Sequence, residues 1–171
     1  DQQLPAAKEL YIELRKWHPR AMEKDRAYYG LGMIALAEHQ EAEAMKWFAR
    51  FEKETLGSGL LANVAEIKAD LFASQRKFAE AQAEFERVIE MPTASRQTKA
   101  RMLLKLGDLM AAQHEDKKAT AYYERVYVSY GKYRPEVASA YSKRAEALQL
   151  LGMNDKATEV YAELALREEL G

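Results

Sequence analysis

An alanine, an aromatic residue four positions on and an apolar residue three further recur five times along the chain. The matches are Ala7, Tyr11, Leu14; Ala44, Phe48, Phe51; Ala81, Phe85, Val88; Ala119, Tyr123, Val126; and Ala157, Tyr161, Leu164. The leading alanines are 37, 37, 38 and 38 residues apart. Residues at i, i+4 and i+7 share one helical face. The small alanine admits a neighbouring helix and the aromatic fills the space between helices. A unit of this size cannot bury such a face alone, so copies must stack to complete a core. Ala81 and Ala119 are therefore expected in tight helix contacts.

A second pattern precedes each of the last four matches. It reads Tyr28, Leu31, Gly32, Ala35; then Ala65, Lys68, Ala69, Phe72; then Leu103, Leu106, Gly107, Met110; then Tyr141, Arg144, Ala145, Leu148. The third slot is always Gly or Ala, where two helices pack closely. Lys68 and Arg144 break the apolar preference, and their stems are expected to cover core while their heads reach water.

Together these residues resemble the tetratricopeptide-repeat family over nearly the whole chain. The usual family period is about 34 residues, whereas here it is 37–38. Pro19 stands where the family often ends a repeat, and the extra residues are expected between pairs, near 18–24, 55–60, 91–97 and 130–136. Units of this length look like those of bacterial envelope proteins, such as outer-membrane assembly lipoproteins and the cell-division coordinators of the Tol–Pal system. The resemblance implies an all-α, right-handed superhelical solenoid of antiparallel helix pairs. It comprises a half repeat (1–20) and four repeats (21–58, 59–95, 96–133, 134–171) in one domain. Helices are expected near 4–17, 23–38, 41–54, 59–74, 78–90, 96–112, 116–129, 135–151 and 155–169. Pro5 and Pro135 suit first helical turns, and Asp155 after Gly152-Met153-Asn154 suits an N-cap.

Composition narrows the function. Lys and Arg number 26 against 27 Asp and Glu, and no basic stripe stands out to neutralise a phosphate backbone, which argues against nucleic acid. No apolar run approaches the roughly 20 residues of a membrane span. The absence of cysteine excludes disulfides and thiolate metal sites and fits an oxidising compartment, and the resemblance to envelope repeat proteins implies a periplasmic or cell-envelope location over the cytoplasm.

No catalytic, cofactor or metal motif stands out. His39 and His114 share one repeat position, with Arg76 and Gly152 at the equivalent places, and are expected to be solvent-facing turn residues. His18 precedes Pro19 in a connection, and no metal-ligand spacing links the three histidines. Gly30-Leu31-Gly32 lies within a helix and follows no strand, so it is not a dinucleotide fingerprint. Ser58, in Gly57-Ser58-Gly59, lacks the strand-to-helix elbow of a hydrolase serine. Of the doublets Tyr28-Tyr29 and Tyr122-Tyr123, Tyr29 is expected to face the groove and Tyr122 the outer side.

The family resemblance implies a concave groove lined by first helices. Its expected partner-binding residues are Arg26, Tyr29 and Met33; Asn63, Glu66 and Asp70; Arg101, Leu104 and Asp108; and Ser142 and Glu146, with Leu36, Ser139 and Gln149 beside them. Four carboxylates against two guanidinium groups speak against clamping an acidic C-terminus and point to a basic or polar peptide or protein. The expected function is a non-catalytic protein-interaction scaffold. The chain is expected to be a segment of a larger bacterial protein, and the alternative is a self-assembly module whose open ends pair with further repeats or other copies.

Overall fold

The computed structural model describes the backbone of residues 3–17 and 21–167, and the side chains of 4–14 and 24–167. Among these are nine helices and no strand: α1 (Gln3–Trp17), α2 (Ala21–Ala37), α3 (Glu41–Glu54), α4 (Leu61–Ser74), α5 (Phe78–Glu90), α6 (Arg96–Ala111), α7 (Asp116–Tyr130), α8 (Arg134–Leu150) and α9 (Asn154–Leu166). Most helix limits lie within two residues of the expected ones. His18, Pro19 and the final residues of the expected last helix lie outside the described residues. Pro135 sits in the first turn of α8, where its missing N–H costs nothing. Asp155 is not the cap of α9: Met153 is, and Asp155 stands in the first turn, where its charge still suits the helix dipole.

The chain forms two compact units, Asp1–Leu71 and Phe72–Gly171, dividing within α4. In the N-terminal unit α2 packs on α1 and α3. Its core joins Tyr28, Ala35, Ala44, Phe48, Phe51 and Val64, with Tyr29, Leu36, Trp47 and Ile67 against them. In the C-terminal unit each helix from α5 to α9 packs on the next, and α6 also touches α8. One cluster there joins Val137, Tyr141, Ala145, Leu148, Ala157 and Val160.

The recurrent triplets account for much of this packing. Ala44, Phe48 and Phe51, Ala81, Phe85 and Val88, and Ala119, Tyr123 and Val126 are all buried. Gly32 and Gly107 explain the small third slot. A Cβ at Gly32 would enter the Phe48 ring and one at Gly107 the Tyr123 ring, the aromatic lying sixteen residues later in both cases. The triplets of α1 and α9 are less covered: Tyr11 and Leu14 are half-buried, and Tyr161 is 38% exposed.

Every described turn within a pair closes in the same way. His39, Arg76, His114 and Gly152 have φ of 58°, 58°, 59° and 72°. The N–H groups of His39 and Gln40 bond the carbonyls of Leu36 and Ala35, and the other three turns repeat this arrangement. This is the Schellman closure, whose left-handed residue is normally glycine. Both histidines are exposed, as expected, but what their position demands is a backbone conformation. Only Gly152 adopts it without a Cβ penalty. His39→Gly and His114→Gly should each stabilise the chain by ~0.5–1 kcal/mol, read as a higher urea midpoint. A lower midpoint would show that the imidazoles make contacts worth more than the strain.

Candidate functional site

The expected site residues sit on regular helical spacings. Arg26, Tyr29 and Met33 lie on α2, Asn63, Glu66 and Asp70 on α4, and Arg101, Leu104 and Asp108 on α6. Each triplet is spaced i, i+3, i+7 and therefore shares a face. Ser142 and Glu146 follow at i, i+4 on α8.

In the N-terminal unit, Tyr29 is half-buried against the core cluster that Val64 joins from α4. Met33, one turn on, is 38% exposed. Arg26 and Asn63 are exposed and Glu66 is half-buried. Asp70 is exposed, and both Glu66 and Asp70 have interaction partners within the chain. The result is an apolar spot on α2 with polar groups on α4. Behind it Tyr28 is buried, stacks on Trp47 at 6.2 Å and donates to Glu54 at 2.8 Å.

In the C-terminal unit, Asp108 anchors a small network. The Lys143 ammonium lies 2.6 Å from both of its carboxylate oxygens, and the Tyr123 hydroxyl donates to Oδ1 at 2.9 Å. Lys143 comes from α8, which packs against α6. Burial pushes the Tyr123 hydroxyl far above its ordinary pKa, and the charge of Asp108 and its hydrogen bond add to this, as do the charges of Glu146 and Asp116. Tyr123 therefore stays a neutral donor. Glu146 is exposed beside this network, Leu104 and Ser142 are half-buried, and Ser142 donates to the Ala138 carbonyl at 3.3 Å. Arg101 is half-buried and has a partner within the chain.

Lys143 is the residue that sequence reasoning missed. It follows Ser142, and only the packing of α6 on α8 reveals that it neutralises Asp108. The expected excess of acid on this face is reduced accordingly.

The two charged core-slot residues also differ from expectation. Their heads do not simply reach water. Lys68 has a 13% exposed side chain and pairs with Glu52 at 2.8 Å. Arg144 donates to the Tyr127 hydroxyl and to Glu124, the latter at 3.0 Å. Tyr127 stacks on Tyr141 at 4.1 Å, and burial raises its pKa to about 12 despite the opposing charge of Arg144. An ammonium or guanidinium held beside apolar packing needs such a partner, because desolvation without one is costly.

Tyr122 is half-buried and lines a hollow of about 210 Å³ with Glu86, Ile89, Leu106 and Arg125. A larger hollow of about 410 Å³ lies by the α6–α7 turn, against His114, Glu115, Lys118 and Leu151. Neither is lined by an expected site residue. Among the described residues no three His, Asp or Glu side chains gather as a metal-ligand set, and no helix is long and apolar enough to cross a membrane.

An alternation of helix pairs, small-residue contacts and Schellman turns defines an all-α helical-repeat solenoid of the tetratricopeptide-like kind. The fold is similar to that of MamA, a protein of the same architecture, whose crystal structure superposes with a TM-score of 0.71 at 19% identity. The match covers 97% of this chain and 89% of MamA. No family model matches the sequence, and no curated protein does either.

Proposed function

We propose that this chain is a non-catalytic scaffold that binds a peptide or protein partner on the exposed faces of its first helices. The partner-binding faces are those of α2 with α4 and of α6 with α8. The observation that carries this reading is Met33. It leaves an apolar side chain 38% open next to half-buried Tyr29, whereas the aromatics Phe48, Phe85 and Tyr123 at the stacking position are closed off. Open apolar groups rimmed by polar ones mark interaction sites. The tetratricopeptide-like fold supports a protein-interaction scaffold in general. In the C-terminal unit, the carboxylate that a basic partner group would meet is Glu146, because Asp108 already holds Lys143.

The test is capture of a partner by the intact chain, followed by titration of two single variants. Met33→Glu should weaken binding about tenfold, as expected for losing one apolar anchor. Glu146→Lys should weaken a basic partner by a smaller factor and flatten the salt dependence of its binding. Both should leave thermal unfolding unchanged. Parental affinity in both variants would remove these faces from the binding site. Asp108 is a poor choice for this test: reversing its charge would set a cation against Lys143 and strip Tyr123 of its acceptor.

Self-association is the second reading. It is favoured by α9, where Tyr161 is 38% and Leu166 83% exposed. Light scattering over a range of concentrations separates the two readings.

A further inference from the structure

Two of the longer acid-free stretches fall in the C-terminal unit, although 27 of the 171 residues are Asp or Glu. One runs from Met91 to Gly107 and the other from Arg125 to Pro135. The fold of the C-terminal unit brings them to one edge. The Arg96 guanidinium donates to the Ser129 carbonyl at 3.0 Å and lies 5.3 Å over the Tyr130 ring. Tyr130 and Tyr133 face each other at 6.5 Å, and the Lys132 ammonium lies 5.1 Å over the Tyr133 ring. Lys99 follows Arg96 by one turn and Arg134 opens α8. Arg96, Lys132 and Arg134 are exposed, and Lys99 is half-exposed.

The carboxylate nearest in the chain faces inward. Glu136 is 8% exposed, and its Oε1 accepts from the Gln97 amide at 3.1 Å. Two helices also begin at this edge. Ser95 caps α6, but Tyr133 supplies no side-chain cap to α8. In the first turn of α8, however, Pro135 has no N–H and the Glu136 carboxylate already stands at the positive end, so the cations carry the positive character of this edge.

We infer that this edge, formed by Arg96, Lys99, Tyr130, Lys132, Tyr133 and Arg134, is a second interaction surface, and that it takes an acidic peptide segment. It is separate from the first-helix faces proposed above. The tyrosine rings hold the Arg96 and Lys132 heads in place by cation–π contact, so little side-chain freedom is lost when a carboxylate arrives. The tyrosine hydroxyls supply donors that carboxylates accept. The cluster is confined to the start of α6 and the α7–α8 connection, and the chain as a whole carries a net charge of −1. A short acidic segment can use such a patch without meeting the repelling charge that an extended polyphosphate or anionic membrane would find around it.

The experiment is fluorescence anisotropy of a labelled Asp/Glu-rich peptide titrated with the intact chain at low salt. Saturable binding that weakens as salt rises is expected. The double variant Lys132→Glu with Arg134→Glu should weaken it about tenfold. Lys117→Glu with Lys156→Glu makes the same change in net charge at exposed positions elsewhere and should leave affinity within about twofold. Circular dichroism and unfolding midpoints should match the parent for both. Absence of binding, or equal losses in the two double variants, would overturn the surface. Tighter, variant-sensitive binding of an RNA oligomer or an anionic vesicle would overturn the partner class.

Discussion

Truncation of Phe48 or Phe85 to alanine should cost ~3–5 kcal/mol of stability, whereas the same truncation at Tyr161 should cost about 1 kcal/mol or less. The three residues occupy one position of the repeat. What differs is their cover: Phe48 is 0% exposed, Phe85 2% and Tyr161 38%. Removing a closed-off ring deletes its transfer free energy and leaves a cavity whose walls are held by their own helices. At Tyr161 much of the ring already meets water, so little is lost. A domain of this size has about 5–15 kcal/mol in all, so the first two variants should show much lower urea midpoints. A Tyr161→Ala loss as large as that of Phe48→Ala would mean that equivalent repeat positions are buried alike.

Gly107→Ala should destabilise the chain by about 2 kcal/mol, against the usual trend. In a helix interior alanine is better than glycine by about 1 kcal/mol. Here the added methyl meets the ring of Tyr123, which cannot readily yield. The ring is 2% exposed, and its hydroxyl is held by Asp108, itself paired with Lys143. Gly32→Ala meets Phe48 in the same way. A methyl added at Gly57 would have nothing within 4 Å, so Gly57→Ala should be neutral or mildly stabilising. Thermal midpoints should fall by ~2–4 °C per kcal/mol for the first two and not for the third. A rise at Gly107 would show that the Tyr123 network relaxes at little cost.

Much of the fold is legible in the sequence because helix packing repeats. The Ala–aromatic–apolar triplet marks second helices, and the Gly or Ala slot marks where first helices meet their rings. Even the left-handed turn positions can be aligned, through His39, Arg76, His114 and Gly152. The lost information is of another kind. Lys143 with Asp108 and Lys68 with Glu52 pair across helices 35 and 16 residues apart. Such pairs depend on which way a long side chain leaves its helix, and no repeat period encodes that direction. Lys143 also escapes notice because it lies beside the i, i+4 spacing of Ser142 and Glu146. The basic edge is hidden in the same way: neither Arg96 nor Lys132 belongs to a recurring slot, and the overall charge balance conceals a local excess.

If partners bind on the first-helix faces of a helical-repeat scaffold, those faces should lose solvent access on binding. Hydrogen–deuterium exchange of the intact chain, alone and with a captured partner, tests this most directly. Protection centred on α2 around Tyr29 and Met33, or on α6 and α8 around Leu104 and Glu146, is the predicted result. Protection confined to α3, α5 and α7, with the first helices exchanging as in the free chain, would contradict it.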